Sequence, residues 1–171
     1  MTEPLDAPVL PGHGWAELAL DDEITTAGRD GGCGGTPRGR WTVDGRHCAT
    51  RAQLFDEWSR ALGFPDYFGR NWDAFDECLS DLLVGGAGFG VPEAGQGSCE
   101  EITVRNAENL LVAEPVAELT TFIRVLDAVA GLTRPEPDGP GLRVLFRTST
   151  DEAGDLRDRL RTAAPGRQER R

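Results

Sequence analysis

Residues 64–82 read FPDYFGRNWDAFDECLSDL, and the reading of this stretch decides the rest. Its first eight residues hold a proline, an aromatic pair, a glycine and an asparagine. Pro65 stops whatever helix precedes it, and Asn71 is a good N-cap for a new one, because its side-chain oxygen can accept from an unpaired amide of the first turn. The new helix should run to about Leu83. At about 100° per residue, Phe75, Cys78, Leu79 and Leu82 share one stripe with Trp72 at its edge, and that stripe faces a core. Asp73, Asp76, Glu77 and Asp81 fall on the other side.

A solvated acidic face usually interleaves bases at i+4, and none follows Arg70 here. Like charges at that spacing repel by a few tenths of a kcal/mol per pair. Asp81 also sits at the helix end that the dipole makes unfavourable for an acid. A basic partner covering this ridge would account for both. Tyr67, beside Gly69, fits an interface anchor or the core equally; Phe68 fits the core. Cys78, on the apolar stripe, reads as a buried thiol.

Working outward, Thr50 and Gln53 form a capping box, and the helix behind it places Leu54, Phe55, Trp58, Ala61 and Leu62 on one face before Gly63 ends it. Trp41–Val43 suits a strand, followed by a tight turn at Asp44-Gly45. On the other side, 101–106 is a strand, 115–132 a helix with apolar residues at helical spacing, and 142–148 a buried strand. The tail from 151 is a charged helix ending in an Arg-rich run. The N-terminus reads differently: Trp15, Glu17 and Ala19 alternate with Ala16, Leu18 and Leu20, enough for a short strand or two, before a Gly-rich linker. The expected division is therefore an extension over 1–37, partly ordered at best, a domain over 38–150, and a charged helix and tail over 151–171. Strands separated by helices imply an α/β fold with a small parallel sheet.

Whole-chain properties narrow the function. With 171 residues and a formal net charge of −11, the chain is large enough for a core and too acidic to favour nucleic acid. Its field suits a basic partner. Every basic residue is Arg, which reads as coding bias. No apolar run is long enough to span a membrane, and the first residues do not resemble a signal peptide, so a cytoplasmic location is expected. The four cysteines have no CxxC spacing and read as free thiols. His13 and His47 have no nucleophile nearby in sequence and read as surface residues, and GGAGFG at 85–90 is no dinucleotide loop. Asp73, Asp76 and Glu77 could in principle attract Mg²⁺, but a helical ridge offers no cavity. No catalysis, cofactor or metal is expected.

The opening stretch resembles the signature of the barstar family, intracellular inhibitors of small secreted ribonucleases. Phe64, Pro65, Asp66, Tyr67, Phe68, Gly69, Asn71, Trp72, Asp73, Ala74, Phe75, Cys78 and Leu79 fit that pattern. The resemblance covers about 39–148 and implies a three-layer fold, with a three-stranded parallel sheet packed by helices. It also implies a mechanism, in which the second helix and the loop before it plug a nuclease active site with carboxylates standing in for RNA phosphates. By position it makes Asp73 and Glu77 contact acids, Tyr67 the ring stacked on a catalytic histidine, and Gly69 and Asn71 loop positions near the interface. Asp76 and Asp81 join them on the ridge. It also places a contact acid on a later helix, for which Asp127 is the nearest candidate. The chain departs from the family at Asp76, which replaces an aromatic, and at Asp81 and Leu82, which replace Gly-Trp; Glu77 replaces an Asp and reaches about 1 Å further. The expected partner is a basic secreted ribonuclease, barnase-like or guanyl-specific, met by a monomer in a toxin-immunity role. The alternative is a module of the same fold retargeted to another toxin or client.

Overall fold

The computed structural model describes residues 10, 13–21, 39–85, 100–133 and 141–164. The expected linker, the loop after residue 85, the 134–140 loop and the Arg-rich end lie outside them, as do Cys33 and Cys99.

The local signals produce the expected elements. Strand β2 (Gly39–Asp44) ends in a 3-10 turn at Gly45–His47, where the Asp44 side chain accepts from the Arg46 amide. Helix α1 (Arg51–Leu62) starts on the Thr50/Gln53 capping box and stops at Gly63, whose φ of 71° is the left-handed conformation glycine takes freely. Helix α2 (Trp72–Ser80) continues into a π-helical turn, Asp81–Gly85. Then come β3 (Glu100–Arg105), α3 (Val116–Thr133), β4 (Leu142–Thr148) and α4 (Ala153–Ala163).

The sheet has four parallel strands rather than three. The added one, β1 (Ala16–Leu20), pairs with β4 from Ala16↔Val144 to Leu20↔Thr148, giving the order β1-β4-β3-β2. It belongs to the stretch read as an extension, and Leu10, Trp15 and Ala16 are part of the core. The far end is built in too: Leu156, Leu160 and Ala163 of α4 are core residues.

From β2 to β3 to β4 the chain steps one way across the sheet. Right-handed crossovers then put the helices on one face. The described residues accordingly form two layers where three were expected. The helix-facing side holds Val43, Ile102, Val104, Val144 and Phe146, all fully buried. The other face is polar, since Glu17, Arg40, Glu101 and Arg143 all point there. The Arg143 guanidinium spans Glu17 at 2.7 Å and Glu101 at 3.3 Å, and Arg40 meets Glu101 at 3.5 Å.

His13 corrects another expectation. It is buried, with Nδ1 2.6 Å from Asp127 Oδ1, and the Trp15 indole donates to the same oxygen at 2.9 Å. This tie fastens the segment before β1 to α3. His47 is exposed, as expected of a surface residue.

Candidate functional site

The loop between α1 and α2 is held by its aromatic residues. Phe64 is buried and its amide donates to Ser59 O; the Phe68 amide donates to Pro65 O at 3.0 Å, closing a turn. The Phe68 ring packs edge-on against Phe64 and Phe55, with centroids 5.2 and 5.8 Å away. With both phenylalanines turned inward, the residues between them turn out, and Tyr67 is 76% exposed. That resolves the open reading of Tyr67 in favour of the surface, while Phe68 packs on the core as expected.

The next three residues set the helix start. Arg70, not Gly69, takes the left-handed conformation, at φ 52°, and its guanidinium meets Asp56 of α1 at 3.0 Å. Gly69 provides space instead, because a Cβ there would lie 3.1 Å from Asn71 Nδ2. Asn71 caps α2 as expected, its Oδ1 accepting from the Ala74 amide at 2.8 Å.

The inner side of α2 is an aromatic joint. Phe75 is fully buried and packs with Phe55, Trp58, Phe64, Trp72 and Phe122 at centroid distances of 5.4–6.2 Å. The Trp72 indole donates to Glu118 Oε2 of α3 at 2.9 Å. Rings meeting edge to face at this range add about 0.5–1.5 kcal/mol each beyond burial, so the helix is held rigidly. Cys78 and Leu79 complete the buried stripe. The Cys78 thiol is pushed up by burial and by the nearby Glu77 and Asp81 charges, which keeps it protonated and unreactive.

The outer side carries Asp73, Glu77 and Asp81, all exposed, and Asp76, half-buried on the flank towards α3. The Ser80 hydroxyl lies 3.4 Å from Asp76 Oδ1, a long contact. Among the described residues no arginine or histidine comes within ion-pair distance of these four acids. Nor is any group of three His, Cys, Asp or Glu among them arranged to hold a metal ion.

Tyr67, Gly69, Asn71, Asp73, Asp76, Glu77 and Asp81 thus share one continuous loop-helix surface. Asp127 does not join it. Nine positions beyond Glu118, it lies about half a turn round α3, on the flank that meets His13 and Trp15. Sequence reading missed two supports of the site, the Arg70–Asp56 pair and the Trp72–Glu118 bond. An indole placed at the edge of an apolar stripe was the available signal, since a half-buried N–H needs an acceptor.

A family model for barstar, the barnase inhibitor, matches residues 40–147. The chain belongs to the barstar family. The matched span runs from β2 into β4 and contains the whole loop-helix surface; β1 and α4 fall outside it. Barstar-family proteins are inhibitors of barnase-type ribonucleases rather than enzymes, so a protein partner is implied at the level of the family. No curated protein matches the chain. Among the described residues no helix is long and apolar enough to cross a membrane.

Proposed function

We propose that this barstar-family chain inhibits a small, basic, secreted ribonuclease of the guanyl-specific type, by seating α2 and its preceding loop in the nuclease active site. The observation that carries the reading is the unpaired acidic face of α2 beside an exposed Tyr67 on a rigid loop. Asp73 and Glu77 would pair with the cationic groups that bind RNA phosphates, with Asp76 and Asp81 adding to the field on either side. Tyr67 would lie on a catalytic ring. Gly69 and Asn71 would act by shaping the loop. Such an inhibitor has no chemistry of its own and works as a monomer. Its place is the cytoplasm, where it protects the producing cell from its own nuclease.

Physically the design is economical. The helix that carries the acids is set by the fold before the partner arrives, so little backbone ordering entropy remains to be lost on binding. Their common sign speeds the approach of a basic surface. The test is cleavage of a fluorogenic RNA by a panel of small secreted ribonucleases, with and without stoichiometric protein. Inhibition of at least one, abolished by Glu77→Ala with the fold intact, is the expected result. Silence across the panel would sink the nuclease reading. It would favour the second one, a retargeted module, for which the additional acids Asp76 and Asp81 speak.

A further inference from the structure

Helices α2 and α3 lie side by side on the same face of the sheet. The Trp72 indole bonds Glu118, and the Phe75 and Phe122 rings are 6.2 Å apart. Their outward faces therefore form one surface, and a partner large enough to cover α2 also meets α3. The α2 half bears Asp73, Glu77 and Asp81. The α3 half bears one exposed charged residue, Arg124. Its neighbours on that face are Ala117, Thr121 and Ala128, and the Thr121 hydroxyl is already used, donating to Ala117 O at 3.0 Å.

Arg124 is set apart by the acids around it. Glu118 is held by Trp72 and Arg51, and Asp127 Oδ1, three positions on, by Trp15 and His13. Among the described residues no carboxylate lies within ion-pair distance of Arg124. A solely attractive surface for a basic cleft would not place a cation here. Bringing Arg124 against a uniformly basic partner is repulsive, and leaving its guanidinium desolvated and unpaired is unfavourable as well. An arginine is also a favoured anchor where a carboxylate can accept two of its N–H groups.

We propose that Arg124 is a specificity-determining residue of the α2 surface, pairing with a carboxylate at the rim of the partner's basic cleft and rejecting basic partners that lack one. The inference rests on the reading of α2 as the inhibitory surface. It turns a general attraction for basic clefts into a choice among them, by combining an attractive element with a repulsive one.

The test compares Arg124→Glu, Arg124→Lys and Glu77→Ala against the panel ribonuclease that the wild-type protein inhibits, reading the inhibition constant and its salt dependence. Because Arg124 makes no ion pair within the described residues, all its variants should melt with wild type. Arg124→Glu should weaken inhibition about tenfold or more, while Arg124→Lys, which keeps the charge, should retain most of it. Inhibition by Arg124→Glu as tight as wild type, or tighter, would overturn the proposal, because added negative charge would then simply help. If Glu77→Ala abolishes inhibition and Arg124→Glu leaves it intact, the α2 reading stands and the Arg124 assignment falls alone. If no panel nuclease is inhibited, both fall.

Discussion

Two rows of charge cross this molecule, and they are built on opposite plans. On the open face of the sheet the signs alternate strand by strand, Glu17 on β1, Arg143 on β4, Glu101 on β3 and Arg40 on β2, and neighbours pair. On α2 one sign repeats, through Asp73, Asp76, Glu77 and Asp81, and no base answers it among the described residues. The first row is complete within the fold. The second has no counter-charge among the described residues, and the proposed partner would supply it. Both are charged surfaces of a chain with net charge −11, so composition alone does not separate them; the pairing does.

The strongest way to break this comparison is to remove acids from α2. Asp73→Ala and Glu77→Ala should each weaken inhibition by more than about 2 kcal/mol, the range of interface hot spots. Glu77→Ala should not lower the melting temperature, because it removes a like-charge neighbour and no native contact. Asp73→Ala should lower it only slightly, since Asp73 lies in the first turn of α2, where the helix dipole favours an acid by about 0.3–1 kcal/mol. Titration of nuclease activity gives the first quantity and a thermal melt the second. A variant that loses both fold and inhibition would mean that the acids are structural after all.

The converse substitution is Arg143→Met. It removes the shared cation of the sheet row and leaves Glu17 and Glu101 facing each other across β4. With Arg143 only 23% exposed, the pair lies between the surface and buried cases, and a loss of about 1–3 kcal/mol in urea unfolding is expected. Inhibition at a temperature where the variant is folded should not change.

Acid sharpens the contrast through two other carboxyls. The Arg46 hydrogen bond, with help from the Arg46 amide and Asn106, holds Asp44 well below the usual carboxylate range. At Glu57, burial pushes the carboxyl up, but the Arg60 hydrogen bond, the Asp44 amide and the charges of Arg60 and His47 outweigh it, leaving it lowered. Both folded values lie below the unfolded ones, so their stabilisation is fully present above about pH 4. It is lost as pH falls through the folded values. The urea midpoint should therefore decline below about pH 4, and Asp44→Asn should be less stable at pH 7 yet decline less steeply.

How much of this could be read from sequence depends on how local each signal is. Thr50 with Gln53, Gly63 and Asn71 mark helix ends through contacts within a few residues, and all act as expected. The acid face of α2 follows from helical periodicity alone, except that Asp76 turns partly towards α3. The strand β1 depends on β4, with partners such as Glu17 and Arg143 separated by 126 positions. Five residues next to a Gly-rich run say little about such pairing. His13 reads as a surface residue for the same reason, although it is buried against Asp127. A polar residue that is buried because another polar residue satisfies it looks, in sequence, like one at the surface.

The smallest predicted effect separates the two plans by its sign. Asp81 ends the α-helical part of α2, its amide donating to Cys78 and Glu77 carbonyls, and its exposed carboxylate stands where the helix dipole is negative. It also adds to the charge of Glu77, one turn back. Asp81→Asn keeps the shape and removes the charge, so it should raise stability by about 0.3–0.5 kcal/mol at low salt. The gain should shrink as salt screens the interaction, over a Debye length of about 10 Å at 0.1 M. Neutralising Glu17 on the sheet, by Glu17→Gln, should instead lower stability, because that charge has its counterion. A fold that becomes more stable when an acid is removed is holding that acid against its own preference. If both changes destabilise, the α2 acids are satisfied within the fold and the case for a partner over them is lost.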